Sequence, residues 1–117
     1  MSMTLLAGTR ECRNGNCPTA WLTEHGTVIV QGYVMDSRIV RVPRDLIERA
    51  ARELEMHDAR AAAAVPAPRS IALRACGDWV EVSGTPTTLV CPDGERAHEV
   101  PAQAVLAAAN ESTREAV

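Results

Sequence analysis

Phenylalanine is absent from this chain, lysine is absent too, tyrosine occurs once and tryptophan twice. Without aromatic bulk the core must be assembled from valine, leucine, isoleucine and alanine. Each such contact removes little area from water, so modest stability is expected. All twelve basic side chains are arginine, a bias that, with the abundant alanine and proline, points to a GC-rich genome rather than to a function. The net charge of −3 offers no general attraction to nucleic acid or to an anionic membrane. No run approaches the roughly 20 apolar residues of a membrane span. The opening TLLAG stretch is too short, and lacks the basic flank, to be a secretory signal. A cytoplasmic protein is the expectation, with its four cysteines as reduced thiols and no membrane contact. Missing as well are a Gly-x-Ser-x-Gly elbow and any glycine-rich loop with P-loop or dinucleotide spacing. The three histidines fall at a turn, on a helix and in a strand, away from any nucleophile. These absences together argue against an enzyme, and no catalytic residue is assigned.

What is present fits one domain covering residues 1–117, with ordinary apolar (46%) and charged (23%) fractions. Sliding the sequence against itself by 58 positions brings Trp21 onto Trp79 and Gly26 onto Gly84. The same shift brings Val42-Pro43 onto Val100-Pro101 and Ala50-Ala51 onto Ala108-Ala109. The fold class expected is therefore α+β, with two pseudo-repeated strand–strand–helix units around one aliphatic core and a mostly antiparallel sheet.

The first unit spans about 19–64. It has strands over 19–23, 27–33 and 38–42, then a helix opened by Pro43 and running to about residue 64. Leu46, Ile47, Ala50, Leu54 and Ala61 form the buried helical stripe. Glu48 with Arg52, and Arg49 with Glu53, pair at i, i+4. A linker, 65–70, leads to a second unit over about 71–110. Its strands are expected at 71–74, 79–83, 87–91 and 96–100, with a short helix from Pro101 and a frayed tail over 111–117.

Three groups of residues are candidates for function. Cys12 and Cys17 flank an Asn-Gly turn and could supply half of a zinc site. Cys76, Cys91 and the histidines offer no second close pair, so no cofactor is favoured and zinc is the only one in view. Thr27–Tyr33 is apolar on both faces, and one small domain is poorly equipped to cover both. Val28, Ile29 and Val30 are therefore expected to form an association surface, for a second copy or for a protein partner. The third group is Arg38, Arg41 and Arg44, the candidate nucleic-acid contacts.

That third group comes with a resemblance. Met35–Arg49 (MDSRIVRVPRDLIER) resembles the strand–Pro–helix segment of swapped-hairpin DNA-binding domains of the AbrB and MazE type. Asp36, Arg38, Ile39, Val40, Pro43, Asp45 and Leu46 stand in comparable places. One residue too many separates Arg38 from Pro43, which would flip the faces of the strand. Over a wider span, CPTAW, GTVIVQGY and VPRDLIERAA are similar to a family of small uncharacterised proteins from high-GC Gram-positive bacteria, which often accompany helix-turn-helix regulators. That resemblance implies no site residues, only a regulatory or partner-binding role. The leading expectation is a non-enzymatic interaction or regulatory protein. A swapped-hairpin-type DNA-binding regulator or antitoxin and a zinc-stabilised binding module are the alternatives.

Overall fold

The computed structural model describes residues 3–8, 18–24, 26–36, 38–63, 72–87, 91 and 94–115. Eight strands form one antiparallel sheet: β1 (Met3–Gly8), β2 (Thr19–Thr23), β3 (Thr27–Val34), β4 (Ile39–Pro43), β5 (Ala72–Cys76), β6 (Trp79–Ser83), β7 (Thr85–Pro86) and β8 (Glu95–Pro101). Helix α1 (Arg44–Ala63) follows β4, and α2 (Ala102–Glu115) follows β8. The order is β1-β2-β3-β4-β6-β5, and β8 lies on β3 with β7 beside it. The α+β class is as the sequence reads.

Period-two burial dictates which side of the sheet meets the helices. Val28, Val30, Val40, Val42, Val80, Val82 and Val100 face inward and pack with Leu46, Ile47, Ala50 and Leu54 of α1 and Val105 of α2. The core is aliphatic as composition requires. Helix α1 starts where its free N–H groups find acceptors: the Arg44 N–H donates to the Asp78 carbonyl at 2.8 Å. Two surface ion pairs join its first turns. Arg49 turns back to Asp45 at 2.8 Å, and Arg44 reaches toward Glu48 at 3.9 Å.

Gly32 is where the sheet folds. Over Thr27–Tyr33, β3 pairs with β8, and at Tyr33 and Val34 it also pairs with β4. A Cβ on Gly32 would lie 2.6 Å from the Arg41 carbonyl oxygen and 2.7 Å from Val42 Cγ1, so β4 crosses here at a distance that only glycine permits. Gly84 plays the same part between β6 and β7. A Cβ there would meet the Glu99 carbonyl oxygen at 2.7 Å and Val100 Cγ1 at 2.8 Å.

The ungapped shift of 58 does not relate the strands. Trp21 lies on β2 opposite Ile29, whereas Trp79 lies on β6 opposite Pro43 and Cys76. It does relate the segments entering the helices: Val42-Pro43 closes β4 before α1, and Val100-Pro101 closes β8 before α2. Their strand partners follow another spacing, since Val42 pairs with Val80 and Val100 with Val28, 52 positions apart.

Several boundaries also differ. Strand β1 was not expected. It earns its place through a bulge that passes over Leu6, so that Leu6 and Ala7 are both buried. Helix α2 continues through Glu115, beyond the expected fraying point. A two-residue β7 precedes the expected strand at 87–91, whose residues 88–90 lie outside the described residues. The linker 65–70 also lies outside them.

Candidate functional site

The solvent side of the sheet carries a register-locked row. Arg74 lies opposite Glu81, Glu81 opposite Arg41, Arg41 opposite Tyr33 and Tyr33 opposite Glu95. Directly opposed residues share a face, so five side chains from β5, β6, β4, β3 and β8 line up across it. Trp79, from the next row, closes a cluster with them. The Arg41 guanidinium carbon stands 4.4 Å from the Trp79 ring centroid, and the Tyr33 ring meets Trp79 edge-on at 6.1 Å. Both geometries are attractive: a cation over a π face and a T-shaped aromatic pair. Val34 and Met35, at the end of β3, are 39% and 48% exposed, with Val34 opposite Val40 and so on the other face from Tyr33.

A second feature lies where β7 meets β8. A half-open groove of about 270 Å³ is lined by Pro86, Thr87, Cys91, Glu95, Arg96, Ala97 and His98. Two of its ionisable residues are deeply buried, Glu95 at 6% exposure and His98 at 1%. Burial holds the His98 imidazole below its ordinary range, assisted by nearby Arg96, while a backbone hydrogen bond with Val82 opposes the shift. Burial also raises the Glu95 carboxyl, against a hydrogen bond from the Gln31 side chain. The Cys91 thiol is raised by burial and by the neighbouring Glu95. It is thereby kept as a thiol, the opposite of what a nucleophile needs.

The structure places the sequence candidates as follows. Val28, Ile29 and Val30 are buried within the one chain. Strand β3 is paired along both edges, with β2 and β4 on one and β8 on the other. It therefore has neither an open edge nor a bare face to offer, and the association surface expected there is corrected. Val28 and Val30 lie in the helix-side core, and Ile29, on the opposite face, is buried as well.

Arg38, Arg41 and Arg44 all lie along β4 and its ends, but carboxylates are interleaved with them. Arg41 stands opposite Glu81 and over Trp79, Arg44 donates to the Gly77 carbonyl near Glu48, and the Arg38 N–H donates to Asp36 Oδ1. Cys12 and Cys17 lie outside the described residues. Among the described residues, no three His, Cys, Asp or Glu side chains converge as metal ligands, and no helix is long and apolar enough to cross a membrane.

Of the groove residues, Cys91 and His98 enter the sequence reading only among the cysteines and histidines that offer no second close pair for zinc, although one further signal is available. The shift of 58 carries Val40 onto His98, so an imidazole occupies a position where the first unit places a core valine. No protein-family model matches this chain, and no curated protein and no solved structure shows significant similarity to it.

Proposed function

We propose that this chain is a small non-enzymatic interaction protein, regulatory in role, that meets a protein partner through the exposed surface around Tyr33, Arg41 and Trp79. The observation carrying this reading is the Tyr33–Arg41–Trp79 cluster, which is held in place by strand register and lies away from the helix-covered face. Tyr, Trp and Arg are the residue types that dominate binding energy at protein interfaces. Packing them against one another before a partner arrives reduces the side-chain entropy lost on binding. The resemblance of the first half to proteins that accompany regulators leans the same way. Affinity capture from the native cell, read by mass spectrometry, tests it. A partner retained by the wild-type chain should be lost about tenfold or more with a Tyr33→Ser/Arg41→Glu variant of matched unfolding midpoint, since losing two anchors of this kind costs at least ~1.4 kcal/mol. Identical retained sets for both chains would refute the reading.

We also infer that the two halves derive from one strand–strand–helix unit, but in two registers: 58 for the strand entering the helix and 52 for its pairing strand. Support comes from Gly32 beneath Arg41 and Val42, matched by Gly84 beneath Glu99 and Val100.

A further inference from the structure

The strand order ends at β5, and among the described residues no strand pairs with its outer edge. Which of its backbone groups face that edge follows from the neighbouring strands. The Arg44 N–H donates to the Asp78 carbonyl at 2.8 Å, which continues the β4–β6 pairing past Pro43 and Trp79. Antiparallel strands alternate hydrogen-bonded and non-hydrogen-bonded pairs. Asp78, Val80 and Val82 therefore bond toward β4, while Trp79, Glu81 and Ser83 bond toward β5. The residues that answer them on β5 are Cys76, Arg74 and Ala72. That leaves the N–H and C=O groups of Leu73 and Ala75 directed out of the edge, a template for one more strand.

The other end of the order, β1, is interrupted by its bulge, a device that hinders strand addition. Strand β5 pairs with β6 over Ala72–Cys76 without a register shift, and it holds neither proline nor glycine. Its side chains determine what can join it. Arg74 is exposed and central in the strand. Two β5 strands paired over their whole length would set Arg74 directly opposite its own copy, and like charges so placed are destabilising. Within the chain Glu81 lies opposite Arg74, but it lies opposite Arg41 as well. Two guanidinium groups share one carboxylate, and the row reaches the edge with positive charge in excess.

We propose that the outer edge of β5 takes an extended, antiparallel segment of a partner protein that reads apolar–acidic–apolar, with its carboxylate opposite Arg74. The added segment would repeat what Val80-Glu81-Val82 of β6 presents on the other edge. Opposite Arg74 the new pair is a non-hydrogen-bonded one, where side chains approach most closely. The flanking apolar residues fall on the face of Leu73, which packs against the helix-side core. Backbone bonds supply the affinity and the charge supplies the selection. The edge does not rest on the role proposed for the Tyr33–Arg41–Trp79 surface.

The probe is acetyl-Thr-Val-Glu-Val-Thr-amide, and the control is the same peptide with arginine in place of glutamate. Backbone amide NMR of the whole chain gives the readout. The acidic peptide should shift the Leu73 and Ala75 amides and slow their hydrogen exchange, saturating at concentrations on the order of millimolar. The arginine peptide should bind about two- to tenfold more weakly, and Arg74→Glu should reverse that order. Ala75→Pro removes an outward N–H without touching the β6 pairing and should abolish binding. No saturation by about 10 mM, equal affinity for the two peptides, or an unchanged order in Arg74→Glu would each overturn the proposal. So would the same shifts on concentrating the chain alone, which would place a second copy on the edge. The Arg74→Glu arm decides the matter even if Ala75→Pro fails to fold.

Discussion

At the scale of single residues, the two crossing glycines and the two buried ionisable groups carry the most consequence. Adding a methyl group at Gly32 or Gly84 drives it against backbone carbonyl and valine Cγ1 atoms. Gly32→Ala and Gly84→Ala should each cost about 1–3 kcal/mol, read from urea unfolding midpoints, whereas Gly8→Ala, with open space around it, should cost far less. His98 and Glu95 act on pH dependence in opposite directions. His98 titrates lower in the folded chain than in the unfolded one. Below pH about 6.5 the unfolded chain takes up the proton first, so stability falls as pH falls toward the folded value. Glu95 titrates higher when folded, so its burial costs stability that is recovered as pH falls from that raised value toward the ordinary carboxylate range. Arg96 and Cys91 are the other ionisable groups lining the groove. Unfolding midpoints across pH 4–7 should therefore separate two variants. Relative to wild type, Glu95→Gln should gain stability with rising pH, and His98→Val should lose it. Parallel profiles for the two would contradict the assignment.

At the scale of elements, the strands and helices that alternate cleanly in sequence are the ones the structure keeps. TVIVQGY, RIVRV and WVEVS are β-branched and alternating, and α1 follows Pro43 with its Leu46–Ile47–Ala50–Leu54 stripe buried. What escaped depends on contacts distant in sequence. Strand β1 has only six residues and a bulge, so its period-two signal breaks at Leu6; its pairing with β2 is what makes it a strand. The mistaken exposure of β3 has the same origin. A strand apolar on both faces shows that cover is needed, and only the fold shows Val28, Ile29 and Val30 buried within one chain, Val28 and Val30 in the helix-side core. The groove is hard to read from sequence because its lining, Pro86, Thr87, Cys91 and Glu95–His98, comes together only through the pairing of β7 with β8. The measurable correction is Val28→Glu, which puts an unpaired carboxylate in the core. It should abolish cooperative unfolding or lower stability by more than ~3 kcal/mol, rather than convert an oligomer into a folded monomer.

At the scale of the whole molecule, one aliphatic core lies on one side of a folded sheet, and the Tyr33–Arg41–Trp79 cluster stands on the other. The core is contiguous and built from apolar side chains, so EDTA should leave the thermal midpoint unchanged; a drop of several degrees would revive the zinc-stabilised alternative at Cys12 and Cys17. The proposed function rests on the Tyr33–Arg41–Trp79 cluster, and position 33 reports on it most directly. A photo-crosslinking phenylalanine analogue placed at Tyr33, in the native cell, should yield a discrete higher-mass adduct on illumination, either with a distinct protein or with a second copy. The same analogue at Met56, 79% exposed on α1, should yield none. No adduct from position 33, or the same adducts from both positions, would contradict the account.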